Sequence, residues 1–142
     1  MKLVDANLLL YAYDASSDLH KKARLWLEDL FSQPKPVCLS WTTILAFLRI
    51  TTNPRAFTHP LSAAEAVDIV SEWLSQPVTV ILNPGDRHWK ILSGFIKDGQ
   101  ANGPLTTDAH LAALAVEHGA TLCTLDRDFL RFKGLELLNP FS

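Results

Sequence analysis

Residues 105–129, LTTDAHLAALAVEHGATLCTLDRDF, contain one complete helix-to-strand unit. The alanine- and leucine-rich segment 109–118 predicts a helix, and Gly119 is well placed to end it because glycine readily adopts the left-handed conformation of a helix C-terminus. The apolar run 121–125 then predicts a strand, which the polar sequence Asp126-Arg127-Asp128 ends. This unit indicates a protein in which buried strands alternate with helices.

The rest of the chain repeats the same alternation. Further strands are predicted at 2–5, 37–40, 78–82 and 135–138, and further helices at 8–13, 18–31, 42–52, from 62 onward and around 89–96. Strands that are apolar throughout, with helices between them, are typical of a parallel sheet covered on both faces. We therefore predict one α/β domain over residues 1–142, a three-layer α/β/α sandwich with a central, mainly parallel sheet.

The composition limits the environment and the partners of the chain. Among 142 residues, 13 Lys and Arg oppose 15 Asp and Glu, so bulk positive charge does not hold the protein on nucleic acid. Asp5 interrupts any signal sequence, and charge-free runs such as 36–48 are shorter than the roughly 20 residues that span a bilayer. Cys38 and Cys123 lie in apolar runs, which favours burial in a protein of the reducing cytoplasm.

Four aspartates follow strands or begin a helix, at positions that a parallel sheet brings to one edge. Asp5 follows the first strand, Asp126 and Asp128 follow the fourth, and Asp108 begins a helix. Ligands of open α/β sheets bind at the carboxyl ends of the strands. Clustered carboxylates repel one another unless a cation joins them, and oxygen ligands of this kind suit Mg²⁺ or Mn²⁺.

The same aspartates also fit purely structural roles. Asp5 and Asp108 both precede predicted helices, where a capping side chain stabilises by roughly 1 kcal/mol, and Asp128 fits the cap of a short turn through Phe132. Dinucleotide-binding, P-loop and serine-nucleophile α/β proteins are excluded, because the chain has no GxGxxG, GxxxxGK[ST] or GxSxG motif. A receiver domain is excluded as well, because it needs a phosphoacceptor aspartate at the end of an inner strand and no acid lies between Asp29 and Glu65.

Two segments carry a resemblance to a known family. LVDANLLLYA (3–12) and the opening segment 105–129, at this distance from each other, resemble the PIN domain and, more narrowly, VapC, the ribonuclease toxin of VapBC toxin–antitoxin modules. SWTTILAFLRITTNPRAF (40–57) and GDRHWKIL (85–92) are similar to a recurrent branch of that group. The resemblance extends over essentially the whole chain.

The resemblance implies the toxin of a type II toxin–antitoxin system. Such a protein is a Mg²⁺- or Mn²⁺-dependent endoribonuclease that hydrolyses phosphodiester bonds in structured RNA, here tRNA or rRNA, and a VapB antitoxin neutralises it. By position, Asp5, Asp108 and Asp126 correspond to catalytic, metal-holding acids of the family. We expect one metal held by Asp5 and Asp108, with Asp126 bound directly or through water, and we add Asp128 and Asn7 as possible supporting residues.

One position departs from the family. A glutamate usually stands on the third helix, where this chain has Ala46. The alternative function is therefore a catalytically weak or inactive PIN module that binds RNA or an antitoxin.

Basic residues lie in an acid-free stretch, 30–64, and beside Asp126. The candidates in these two places are Lys35, Arg49, Arg55, Arg127, Arg131 and Lys133. Such side chains position RNA through its phosphates, although each also fits ordinary solvated surface charge. Our predictions for RNA positioning are Arg49, Arg55 and Arg127, and Arg49 is the strongest because it lies one turn from Ala46.

The family also implies protein partners. VapC-like chains form homodimers and bind an amphipathic antitoxin helix in an apolar groove, giving a hetero-oligomer. The apolar helices 8–13 and 44–50 fit such a groove, and they fit core burial equally well. Among the tryptophans, Trp26, Trp73 and Trp89 are predicted in the core, while Trp41 is a candidate for a partner contact.

Overall fold

The computed structural model describes residues 1–142 and contains one five-stranded sheet, all of whose strands are parallel. The strands are β1 (Lys2–Val4), β2 (Val37–Leu39), β3 (Thr79–Ile81), β4 (Thr121–Cys123) and β5 (Leu137–Leu138). Their order across the sheet is β3-β2-β1-β4-β5. The central strand places Leu3 opposite Cys38 of β2 and Leu122 of β4, so the strands nearest the centre end together.

Six α-helices and one short 3-10 helix connect the strands. They are α1 (Ala6–Tyr13), α2 (His20–Ser32), α3 (Trp41–Thr51), α4 (Ala63–Ser75), α5 (His88–Asp98), α6 (Leu105–His118) and the 3-10 helix (Arg127–Arg131). Gly119, with φ 68°, ends α6 as predicted. The start of α6 differs from the prediction, because Pro104, with φ −59° and ψ −25°, is already helical and begins the helix at Leu105 instead of 109.

Helices cover both faces of the sheet, which confirms the predicted three-layer sandwich. Alternate residues of β1 face opposite ways: Val4 packs in a core with α1 to α4, and Leu3 packs in a second core with α5 and α6. Cys38 and Cys123 are buried and unpaired, as predicted. None of the helices combines the length and the apolarity that crossing a membrane requires.

The tryptophans separate into core and surface residues. Trp73 is buried and Trp26 packs partly buried against the same core, as predicted. The prediction for Trp89 is wrong, because this side chain on α5 is 71% exposed. Apolar periodicity places Trp89 on the face of Leu92 and Ile96, but in the first turn of α5 it is His88 that is buried, and Trp89 faces solvent.

Candidate active site

The carboxyl ends of β1 and β4 meet where the chain enters α1. The Asp5 N–H donates to the carbonyl of Cys123 at 3.0 Å, which joins the two strand ends. The Asp5 carboxylate accepts a hydrogen bond from the Ala6 N–H at 2.7 Å and caps α1, so the structural role considered for this residue is confirmed. A capping role and a role in chemistry are compatible, because only Oδ1 is used by the cap.

Thr124 holds the second oxygen of Asp5 and was not identified from the sequence. Its hydroxyl donates to Asp5 Oδ2 at 2.7 Å, and it accepts hydrogen bonds from the Asp126 N–H at 3.0 Å and from Asn7 Nδ2 at 3.4 Å. The side chain is buried, since Thr124 is 5% exposed. The only sequence signal was its place between β4 and Asp126, and hydrogen bonds across 119 positions cannot be read from a pattern.

Three other aspartates form a tight group at the same edge. One carboxylate oxygen each of Asp108, Asp126 and Asp128 can be chosen so that all three lie within 4.8 Å of one another. Asp126 Oδ1 accepts the Asp128 N–H at 2.8 Å and thereby caps the 3-10 helix. The cap of this turn is therefore Asp126, which corrects the capping role considered for Asp128 and leaves the Asp128 carboxylate at the surface.

Asp108 lies in the first turn of α6 and accepts no hydrogen bond. It is not the N-cap, because the helix begins earlier, so the capping role considered for it is wrong. Burial, together with the neighbouring carboxylates of Asp126, Asp5 and Asp128, raises the pKa of Asp108 to about 6, while Arg131 opposes them. Burial also raises the pKa of Asp5, against the hydrogen bonds from Thr124 and Ala6.

The donor set of this edge fits a hard divalent cation. Three carboxylates within reach of one point, with no histidine or cysteine among them, are the oxygen ligands that Mg²⁺ and Mn²⁺ prefer. A cation would also relieve the repulsion that raises the pKa of Asp108. In addition, Asn7 Oδ1, beside Thr124, is a buried oxygen acceptor without a hydrogen-bond partner.

The arrangement differs in one respect from the metal set expected from the sequence. The prediction that Asp5 holds the ion with Asp108 stays a prediction: Asp5 lies outside the three-carboxylate group, and each of its oxygens accepts one hydrogen bond and keeps a further lone pair. Asp128 takes the third place in that group. Ala46, on α3, is partly exposed and brings no acid to the site, as its identity requires.

The basic candidates occupy different surroundings. Arg49 and Arg55 are exposed, and neither side chain is hydrogen-bonded or ion-paired; Arg127 is exposed beside Asp126. Arg131 is the cation fixed at the acids: its Nη2 lies 4.0 Å from Asp128 Oδ1, and its guanidinium donates to the carbonyls of Asp128 at 3.1 Å and Gly99 at 3.0 Å. The sequence placed Arg131 in the right group without singling it out.

Comparison with known proteins identifies the family. A parallel sheet with acids clustered at its carboxyl edge matches the PIN domain, whose family profile covers residues 2–135, and the chain belongs to this family. Within it, the chain is a member of the VapC ribonucleases. It is 41% identical over 140 residues to Ribonuclease VapC37 of Mycobacterium tuberculosis, covering 99% of this chain and 97% of the relative. It is 39% identical to Ribonuclease VapC43 of the same species, covering 100% and 97%.

Solved structures share the fold at much lower identity. VapBC-1 from nontypeable Haemophilus influenzae aligns with a TM-score of 0.70 at 16% identity, covering 97% of this chain and 96% of that chain. Mycobacterium tuberculosis VapC20, described as a sarcin-ricin loop cleaving toxin, aligns with a TM-score of 0.67 at 19% identity, covering 99% and 100%. These two likenesses support the fold alone.

Proposed function

We propose that this chain is the toxin of a type II toxin–antitoxin pair and a Mg²⁺- or Mn²⁺-dependent endoribonuclease that cuts structured RNA, tRNA or rRNA. Residues 1–142 act as one PIN domain in the cytoplasm. The observation that carries the proposal is the group of Asp108, Asp126 and Asp128 in a chain whose relatives are named VapC ribonucleases. The two buried, unpaired cysteines are consistent with a reducing compartment.

Four acids have roles in the proposed active site. Asp108, Asp126 and Asp128 would hold the cation, and Asp5 would act beside them as the acceptor that Thr124 keeps in place. When bound, the metal supplies polarisation of the phosphodiester and a water of lowered pKa. Since the pKa of Asp108 is about 6, metal binding at a pH near or below 6 would be coupled to release of its proton.

The hydrogen bonds around Asp5 make its geometry independent of the substrate. The Ala6 N–H fixes one oxygen and the Thr124 hydroxyl fixes the other, so the carboxylate plane cannot rotate freely. Asn7 and Asp126 are tied to the same hydroxyl. A group held in this way orients water without reorganising during the reaction, which is the condition for efficient catalysis.

The second candidate function remains the weak or inactive module that binds RNA or antitoxin. Its support is Ala46, the position at which the family usually has a glutamate. Against it stands the third acid, Asp128, which completes a three-carboxylate group without any contribution from α3.

An antitoxin partner is part of the proposal, because solved neighbours of this fold include VapBC complexes. The apolar residues of α1 are mostly in the core, so α1 alone offers little groove surface. A groove of about 460 Å³ between α1, α2 and α4 has Leu27, Phe31 and Ile69 among its lining residues, with Arg24 and Glu72. We propose this groove for the apolar face of an antitoxin helix, since helix-in-groove binding needs such a surface.

Homodimerisation is proposed through α3. Trp41 and Leu45, one turn apart on this helix, are 51% and 59% exposed, and large apolar side chains of this kind favour a protein contact. Light scattering of the purified chain tests it: a dimer is expected, and Leu45→Glu is expected to give a monomer.

The decisive experiment is cleavage of total tRNA and rRNA by the purified chain without antitoxin. Discrete products are expected with Mg²⁺ or Mn²⁺ and none with EDTA. Asp108→Asn controls for contaminating nucleases, because this side chain makes no hydrogen bond whose loss would unfold the protein. Asp86→Asn, an exposed aspartate away from the acids, is the matched active control. Intact RNA across the panel, with no Mn²⁺ binding by calorimetry, would favour the inactive module.

A further inference from the structure

We infer that the cleft between the C-terminal end of α5 and the segment after the 3-10 helix binds one unstacked nucleotide of a single-stranded RNA segment. This cleft, of about 350 Å³, is lined by Phe95, Asp98, Arg131 and Lys133. Its volume is in the range of small-ligand sites. The inference rests on the proposed function, because it describes how that RNA lies on the protein.

Arg131 connects the cleft to the acids. Its Nε and Nη1 atoms donate to the carbonyls of Asp128 and Gly99, which fixes the guanidinium at the boundary between cleft and acid group. Nη2 lies 4.0 Å from Asp128 Oδ1, too far for a hydrogen bond, so its N–H groups remain available. An arginine held in advance by backbone carbonyls loses little entropy when it binds a phosphate.

The charges of the cleft fit a nucleotide better than a simple anion. Arg131 and Lys133 supply two cations, and Lys133 is exposed and has no ion-pair partner. Asp98, also exposed and unpaired, supplies an acceptor on the same cleft. The two cations would bind the phosphate, and the Asp98 carboxylate would accept a hydrogen bond from the amino group of a base such as cytosine.

An aromatic ring completes the cleft. Phe95 is partly exposed, and its ring packs at 5.2 Å and 49° against that of Phe132, which is buried. The buried ring holds the exposed one in place. Proteins bind single-stranded RNA by stacking splayed bases on aromatic rings of this kind while cations hold the backbone. Because the cleft shares Arg131 with the acid group, an RNA strand in the cleft would bring a neighbouring phosphate to the acids.

Fluorescence anisotropy with labelled single-stranded oligoribonucleotides in EDTA tests the cleft separately from cleavage. Lys133→Gln is expected to weaken binding several-fold and to reduce the slope of log affinity against log salt by about 0.7, the value for one lost phosphate contact. Lys97→Gln removes an exposed charge from α5 outside the cleft and is expected to match the wild type. Equal behaviour of the two variants would overturn the inference.

Two further variants test the base. Phe95→Leu keeps an apolar contact with Phe132 but removes the stacking ring, so about tenfold weaker binding is expected at every salt concentration. Wild-type protein is expected to prefer oligocytidine to oligouridine, and Asp98→Asn is expected to remove that preference, since an amide both donates and accepts. Unchanged affinity of Phe95→Leu, or wild-type protein that binds no single-stranded RNA, contradicts the nucleotide site.

Cleavage assays with Mg²⁺ on the same proteins separate this inference from the proposed function. The cleft variants are expected to raise KM and to change kcat little, because none of them belongs to the acid group. Wild-type cleavage with unchanged KM in every cleft variant would overturn the cleft alone. Base-selective binding without any metal-dependent cleavage would support the cleft and overturn the endoribonuclease.

Discussion

Asp108 and Glu117 stand near opposite ends of α6 and have opposite electrostatic environments. Asp108 accepts no hydrogen bond, and burial together with three nearby carboxylates raises its pKa to about 6. Glu117 accepts hydrogen bonds from the backbone N–H groups of Gly85 at 2.8 Å and Arg87 at 2.9 Å, and these lower its pKa. One helix therefore carries one carboxylate that lacks partners and one that is fully satisfied.

The helix dipole alone predicts the reverse of these two pKa shifts. A carboxylate is favoured near the N-terminus of a helix, where Asp108 lies, and disfavoured near the C-terminus, where Glu117 lies. Immediate neighbours override this effect at both ends. Glu117 stabilises the turn before α5, and the chain of contacts continues through His88, 3.7 Å from the Glu117 carboxylate, to His110 at 2.9 Å. The satisfied acid supports the scaffold, whereas the unsatisfied acid marks the site.

The largest predicted effect is on Asp108. Asp108→Asn is expected to lower cleavage by about 100-fold or more, because the cation loses a charged ligand. The same change is expected to stabilise the metal-free protein by about 1 kcal/mol, after allowance for solvent screening, since it removes a partly buried charge and its repulsion by the other acids. Cleavage rates and thermal unfolding in EDTA measure both effects. A variant that is inactive and less stable would contradict this account of the site.

Thr124 offers the next largest effect. Thr124→Val keeps the shape of the side chain but removes the donor to Asp5 and the acceptor for Asp126, so a 10- to 100-fold loss of activity is expected. Thr124→Ser restores the hydroxyl and is expected to recover most of the rate. Because the hydroxyl lowers the pKa of Asp5, the valine variant should also shift the pH profile upward. Equal losses in both variants would point to packing instead.

The fold could be predicted further than the site. Strands and helices follow from apolar runs, so the order of elements and the edge that carries the acids were accessible from the sequence. Which acids form the three-carboxylate group could not be predicted, because this depends on hydrogen bonds between distant residues. The Thr124 hydroxyl donates to Asp5, and Asp126 caps the 3-10 turn, which leaves the Asp128 carboxylate uncapped. In addition, α6 begins after Pro104, earlier than predicted. Asp108 therefore lies inside the first turn and is not the cap that the sequence suggested.

The pH dependence should differ between the two ends of α6. The pKa of Asp108 is about 6 in the folded protein against a model-peptide value of 3.8, so the folded state binds more protons between these values. The contribution of Asp108 to the stability of the metal-free protein therefore falls as pH rises from about 4 to 6, while metal affinity rises by up to about tenfold per pH unit. Calorimetry with Mn²⁺ from pH 5 to 7 measures the second trend, and a flat profile would contradict it.

Glu117 should behave in the opposite sense and affect stability more than chemistry. Its pKa is lowered, so its stabilising contribution is present above the unfolded value and is lost as pH falls through the folded one. Glu117→Gln is expected to lower the melting temperature at neutral pH more than Asp86→Asn does, because the N–H groups of Gly85 and Arg87 lose a charged acceptor. Mn²⁺ affinity is expected to stay within about twofold of the wild type, since the residue is far along α6 from the acids.

The smallest effect is expected at Ala46, where the family usually has a glutamate. Ala46→Glu places the usual acid on α3, and if the missing glutamate limited activity, this change would raise the cleavage rate about tenfold or more. We expect less than about threefold, because Asp128 already completes a group of three carboxylates. Ala46→Gln, which has the same length and helix propensity without the charge, controls for packing on α3. A large gain with glutamate but not glutamine would mean that Asp128 does not replace the α3 acid. The unsatisfied Asp108 would then belong to a metal site weakened by the missing glutamate.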